Sequence, residues 1–226
     1  PDASLSASIT ADMNSINNFN ETEGKLNISN LVFENHQGSL VMDAFNATIT
    51  NDNLMQKIIQ LNCDFFDFEM AGKMDFTTMA SAFKQYLNTY LTIPQWQEEL
   101  ASLEQAEKDL SQDFIVQMTM KNPKPLTQLF MPSLSIAKNT YINGTFTSRS
   151  QMLNLTLRSK YVNVNNIKIN NIECKSQSSR RRSSTRLHID NIILRDSTEK
   201  SPSVIGLDNF SIAGNLRNDS IMTDIS

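Results

Sequence analysis

The sequence predicts a mainly β fold: an elongated, curved or rolled antiparallel sheet forming a groove, with a helical hairpin inserted part-way along. Three observations predict it. Apolar residues recur at every second position over most of the chain, the spacing of strands with one dry and one wet face. Hydrophobic residues make up 39% and charged residues 19% of the 226, below the globular shares of about 45–50% and 25%. Uncharged polar side chains fill the difference, 25 of them Asn. Finally, one stretch, residues 77–111, exchanges period two for helical spacing.

The same arithmetic excludes other classes. A net charge of −4 with 12 Phe and 11 Met is not a disordered chain. No run of about 18 apolar residues is present to cross a bilayer as a helix. Two cysteines do not make a disulfide scaffold. A pI near 5.2 does not suit general nucleic-acid binding, so no nucleic-acid partner is expected. The chain opens Pro1-Asp2-Ala3-Ser4, with no basic region leading into an apolar one, so no signal peptide is recognised. Alternation reaches both ends, through Leu5, Ala7 and Ile9 and through Ile221, Thr223 and Ile225. It reads as an internal piece of a longer, more extended β structure, because ordinary domains fray into polar termini.

The elements follow in order. Leu26 and Ile28, then Leu31 and Phe33, define the first full strand; Leu40 and Met42, then Phe45, Ala47 and Ile49, define the next. In 58–70, Ile59, Leu61, Cys63 and Phe65 share one parity, and Phe66, Phe68 and Met70 take the other. The switch predicts a bulge or bend at Phe65-Phe66. These strands form a first β-groove segment over 1–76. In 77–91, Met79, Phe83, Tyr86, Leu87 and Tyr90 fall on one face of an amphipathic helix. Thr92-Ile93-Pro94-Gln95 reads as an N-cap with Pro early in the next helix, which runs to about residue 111 with Trp96, Leu100, Leu103 and Leu110 on its stripe. The two helices make a helical hairpin, 77–111, inserted between two β regions. A second β-groove segment follows over 112–226. It contains a short helix at 124–130, bracketed by Pro123, Pro125 and Pro132. Its strands carry Phe114, Val116, Met118 and Met120; Leu153, Leu155 and Leu157; Ile167, Ile169, Ile172 and Cys174; and Leu187, Ile189, Ile192 and Leu194.

The chain also repeats itself. Residues 26–35 align with 187–196, and the strands entered afterwards align Met42-Asp43-Ala44-Phe45 with Leu207-Asp208-Asn209-Phe210. Reused hairpins point to a sheet that extends by adding units.

Catalytic chemistry is sparsely supplied. The chain is expected not to be an enzyme and to need no cofactor. His36 and His188 form no metal-ligand spacing and read as surface residues. Cys63 and Cys174 share the apolar parity of their strands; they are small buried hydrophobes, or a disulfide if those strands are neighbours. Asp64, Asp67 and Glu69 beside a strand bend read as solvated carboxylates in preference to a metal cluster. The run 179–186, with Arg180, Arg181 and Arg182, is the densest charge. It reads as a hairpin tip, although a basic patch is also chemistry for lipid phosphates.

What remains is a long one-sided apolar surface. A sheet with an uncovered apolar face aggregates, so it must fold over itself, close against a second sheet or hold something apolar. Burying an acyl chain yields about 0.8 kcal/mol per CH₂, so a 16-carbon tail gives roughly 12 kcal/mol before entropic costs. The residues expected to line such a groove are Leu26, Ile28, Leu61, Phe65, Phe68, Val116, Met118, Leu155, Leu157, Ile169, Leu187 and Ile189.

Residues Gly24-Lys25-Leu26-Asn27-Ile28-Ser29-Asn30-Leu31-Val32-Phe33, the step from 67–72 into Asp75-Phe76, and the helix 81–91 ending in Tyr90-Leu91 resemble the TamB family, in its Bacteroidetes-type members. The segment from Asp113 through Pro132 into Asn143-Gly144-Thr145-Phe146 also resembles it. This is an AsmA-like translocation and assembly module group. The resemblance implies a periplasm-spanning protein anchored in the inner membrane by an N-terminal helix that this sequence does not include. It implies an apolar groove for phospholipid transport and a role in outer-membrane biogenesis. Its partners would be phospholipid acyl chains and, through regions outside this chain, an outer-membrane barrel protein. No catalytic residue is implied. The other functional class open to the sequence is a non-catalytic periplasmic or surface adhesion module, a structural β-sandwich with a filled core.

Overall fold

The computed structural model of the chain describes residues 4–14, 20–35, 38–52, 56–89, 93–105, 110–180, 182–195, 204–217 and 220–225. The alternating runs form strands that pair antiparallel in nearly chain order, giving one open sheet of 13 strands, mainly β as expected. The first five are β1 (Ser4–Met13), β2 (Gly24–Asn35), β3 (Gly38–Asn51), β4 (Lys57–Cys63) and β5 (Phe66–Lys73). The helices α1 (Met79–Asn88) and α2 (Gln97–Gln105) intervene before β6 (Asp113–Met120). Then come α3 (Lys124–Phe130), β7 (Leu134–Ile136), β8 (Tyr141–Thr147), β9 (Met152–Val164), β10 (Ile167–Ser179), β11 (Arg182–Arg195), β12 (Val204–Arg217) and β13 (Ser220–Ile225). β7 and β8 lie end to end along the same side of β9, pairing with its residues 162–164 and 152–158.

The parity breaks of the sequence turn out to be one feature. Asn30, Asn139, Asn171 and Asn209 all adopt left-handed backbone, with φ of 53°, 61°, 48° and 52°. Asn tolerates this region better than most residues. On β2 the pairs Ile28↔Phe45 and Leu31↔Met42 flank Asn30 with no change of register. On β10 and β12, Asn171 and Asn209 occupy the same place between Ile169 and Ile172 and between Leu207 and Phe210, on either side of Asp190 of β11. Asn139 lies in the joint between β7 and β8, level with Lys160 of β9. The four residues therefore mark a crease running across the sheet. Plain alternation would put Ile28 and Leu31 on opposite faces, yet both pack in one cluster with Leu40, Met42, Cys63 and Phe65. The crease keeps the apolar face continuous.

The helices cover that face on two flanks. α1 lays Ala82, Phe83 and Tyr86 on Ile49, Ile59, Phe114 and Phe146, with Phe83 stacked on Phe146 at 4.3 Å. Gln112, 1% exposed, pins the start of α1. Its Oε1 accepts the Asp75 N–H at 2.9 Å and its Nε2 donates to Thr78 Oγ1 at 3.0 Å. At the far end of α1, Tyr86 donates its hydroxyl to Ser178 Oγ of β10 at 2.7 Å. α3 lies on the other flank, with Leu126 and Leu129 on the β2–β5 cluster and Phe130 stacked on Phe33 at 6.3 Å.

Several expectations need adjustment. The bend at Phe65-Phe66 is the β4–β5 turn: Asp64 and Phe65 form it, and β5 begins at Phe66. The first helix is shorter than 77–91, and Tyr90, Leu91 and Thr92 lie outside the described residues. The second opens with a 3-10 turn at Pro94–Trp96, because Ile93 before the proline is extended. α2 is described over Gln97–Gln105, and residues 106–109 lie outside the described residues. Leu110, Ser111 and Gln112 are not helical, because Gln112 is drawn to the sheet through its N–H to Ser148 Oγ at 2.8 Å. α2 is mostly exposed and is joined to α1 by Lys84–Glu99 at 2.6 Å, so α1, not the hairpin as a unit, seats on the apolar face.

Candidate functional site

Cross-strand partners in an antiparallel sheet share a face, so the registers trace rows across the molecule. One row starts at Ala11 on β1 and passes through Leu26, Ala47, Leu61 and Phe68 to Met118 on β6. It continues through Ile142, Leu157, Cys174, Leu187 and Ile212 to Ile225 on β13. Every member is apolar. At ~4.8 Å per strand the row is about 50 Å long.

The neighbouring rows are less uniform. Towards α3, the row holding Ile28, Phe45, Ile172, Ile189 and Phe210 is interrupted by Thr140, just before β8, and by Ser159 on β9. These two hydroxyls are buried and satisfy each other at 2.7 Å. Towards α1, Met70, Val116 and Leu155 give way to Ser176 and Thr185, which bond each other at 2.9 Å.

Cover is uneven along the row. Leu61 and Phe68 pack against the α1 cluster. Met118, Ile142, Leu157, Cys174, Leu187 and Ile212 are half-buried. At the margins Leu5, Ile9, Leu207 and Ile225 are 69%, 65%, 55% and 67% exposed.

Of the residues expected to line a groove, Leu26, Leu61, Phe68, Met118, Leu157 and Leu187 stand in the central row. Ile28 and Ile189 stand in the row on the α3 side, and Val116 and Leu155 in the row on the α1 side. Ile169 lies across the crease, opposite Val162 and Ile192. Phe65 is in the β4–β5 turn, 3% exposed beneath α3. Sequence reasoning missed Ala11, Ala47, Ile142, Cys174, Ile212 and Ile225 as row members. Parity within each run carried that information, but the register that aligns the runs did not.

Both cysteines are free. Cys63 and Cys174 lie on β4 and β10, five places apart in the sheet, so the open question of a disulfide closes against it. Burial pushes the Cys174 thiol up from its ordinary value.

The other face is polar. Asp67 pairs with Lys121 at 2.9 Å, Glu69 accepts from Gln60 at 3.0 Å, and Asp64 accepts the Asp43 N–H at 2.6 Å. These carboxylates are thus held apart by separate partners. His188 contacts Ser211 Oγ through Nδ1 at 3.0 Å and Asp190 through Nε2 at 3.2 Å; its alternation places it on the wet face as expected. His36 lies outside the described residues. Arg180 and Arg182 stand at the β10–β11 turn, and Arg181 lies outside the described residues. Among the described residues no helix is long and apolar enough to cross a membrane. No family model, curated protein or solved structure matches the chain.

Proposed function

We propose that the apolar row and its flanking rows hold acyl chains, making the chain a segment of a bridge-like, periplasmic conduit for phospholipid in outer-membrane biogenesis. The observation that carries this reading is the row from Ala11 to Ile225, apolar on each of its strands and only half-covered from β6 onward. A chain lying across the strands meets no charged side chain along it. Met118 and Met70 suit a variable occupant, because the thioether chain is flexible and polarizable. The resemblance to the TamB family supplies the cellular setting, including the phospholipid cargo and the barrel partner reached through other regions.

Photo-crosslinking tests it. A photoreactive residue replaces Leu157 or Leu187 in the row, or the adjacent outward-facing Thr156 or Arg186. Lipid adducts are expected at the first pair and not at the second. Adducts at neither pair, or equally at both, would refute an acyl path on this face and leave the adhesion reading, in which the face covers itself. The thiol of Cys174 offers a second readout. Its alkylation is expected to be slow at neutral pH and slower still with lipid bound, while Cys63, 3% exposed, reacts only on unfolding.

A further inference from the structure

The crease also shapes the polar face, and there it leaves charge unspent. A depression of about 410 Å³ sits at the left-handed Asn139 and Asn171, lined also by Lys138, Arg158, Lys160 and His188. Its two carboxylates are already engaged. Glu173 accepts from Lys175 Nζ at 2.8 Å and from Arg158 Nη2 and Nε at 3.0 and 3.2 Å, and these partners hold its carboxyl below the ordinary range. Asp190 accepts from Asn171 Nδ2 at 2.6 Å and meets His188 Nε2 at 3.2 Å. Lys138 and Lys160 have no such partner among the described residues. Two free ammonium groups thus share one concavity with an Arg already oriented by Glu173 and with the Asn139 side chain.

We propose that this depression is an anion site that takes a phosphate group. Lysine ammonium groups and a guanidinium form charge-assisted hydrogen bonds with phosphate oxygens, about twice as strong as neutral ones. The concavity brings several donors to one ligand, which a flat strand surface cannot do. The group cannot belong to a lipid whose chain lies on the apolar row, because Arg158 stands next to Leu157 on β9 and points to the other face. The phosphate therefore comes either from a soluble phosphate compound or from the headgroup of a membrane against which this face rests. The site does not depend on the conduit reading.

The test uses the purified chain at low ionic strength, where exposed charge pairs are least screened. Inorganic phosphate and pyrophosphate are titrated calorimetrically, and flotation is measured with phosphatidylglycerol and with phosphatidylcholine vesicles. The variants are the double substitution Lys138→Gln/Lys160→Gln and the control Lys25→Gln on β2, each checked for an unchanged thermal melt. Both double-variant lysines are exposed, so their loss should not unfold the sheet. Saturable binding of phosphate or pyrophosphate that weakens at least tenfold in the double variant, with the control unchanged, supports a soluble ligand. Flotation with phosphatidylglycerol alone, lost in the double variant only, supports a membrane headgroup. Absence of both, or equal weakening in the Lys25 control, overturns the proposal.

Discussion

A glycine series separates two physical costs that this sheet imposes on its backbone. Gly72 on β5 has φ of +139°, and a Cβ there would stand 2.2 Å from the Asp113 carbonyl oxygen and 2.6 Å from Phe114 Cα. Both obstacles are backbone atoms of β6, fixed by the Gly72↔Phe114 pairing, so they cannot turn aside. Phe114 is 4% exposed beneath α1, so moving β6 disturbs the aromatic cluster as well. Gly72→Ala therefore adds backbone strain of about 1–3 kcal/mol to overpacking of about 1–3 kcal/mol, roughly 2–6 kcal/mol together. Gly38 has φ of +151° with nothing within 4 Å of its Cβ position, so Gly38→Ala meets strain alone, about 1–2 kcal/mol. Gly214 has neither an unusual φ nor a neighbour within 4 Å, and Ala there stabilises by about 0.4–1 kcal/mol through the unfolded chain. Urea denaturation of the three variants should rank them Gly72, Gly38, Gly214 from most to least damaging. Equal losses at Gly38 and Gly72 would refute the close approach, and a Gly72→Ala loss within about 0.5 kcal/mol of Gly214→Ala would refute the whole account.

Two further outcomes follow from local geometry. Burial raises the Asp75 carboxyl, but donors from Thr77, Asn20 and Thr78 outweigh it and hold the group below its ordinary 3.8; the Asn20 Nδ2 and Thr77 N–H contacts are both 2.8 Å. A depressed folded value means that this stability is present above 3.8 and is lost as pH falls through the folded value. Asp75→Asn should thus be less stable than the parent at neutral pH, with the gap closing in acid, as read from urea midpoints against pH. At the crease, Asn171→Val should cost about 1–3 kcal/mol for a β-branched residue at φ 48°, on top of the lost bond to Asp190. Asn171→Gly should cost less, about 0.5–1.5 kcal/mol for the 2.6 Å bond to Asp190. The reverse order in thermal denaturation would mean that the left-handed backbone is not what the position demands.

How much of this was legible in the sequence follows from which interactions are local. Period two is a property of each strand alone, so the β assignment and the short helix at Lys124–Phe130 were readable directly. The repeat was readable as well, and it has a structural counterpart: Ile28↔Phe45 and Leu31↔Met42 in one hairpin correspond to Ile189↔Phe210 and Ile192↔Leu207 in the other. The Asn shared by the two repeats is not equivalent, however. Asn30 is left-handed, whereas in the second hairpin Asn209 on the partner strand takes that role and Asn191 does not. Along one chain each parity break looked like the border between two runs. Only the registers show that the breaks at Asn30, Asn171 and Asn209 lie on one line. That Leu110, Ser111 and Gln112 are not helical was unreadable for the same reason: Ser148, thirty-six positions away, takes the Gln112 N–H.

The placement of polar groups on the inner face bears on whether that face is a core or a surface for something else. On β10 and β11 the inward pairs run Ile169 with Ile192, Ile172 with Ile189, and Cys174 with Leu187, then change to Ser176 with Thr185 and Ser178 with Ser183. The apolar strip there has an edge, drawn in side chains that satisfy one another or hold α1 through Tyr86. From Ile167 to Cys174 it is about 23 Å wide at ~3.3 Å per residue. A core that merely filled itself would place its helices over this strip. Instead α1 and α3 pack against clusters drawn mainly from β2 to β8, while on β12 and β13 Leu207 and Ile225 remain more than half exposed. Covering them with a flexible occupant about the width of the strip removes apolar area from water without altering any backbone pairing, and that is the property a conduit needs at each position along its length.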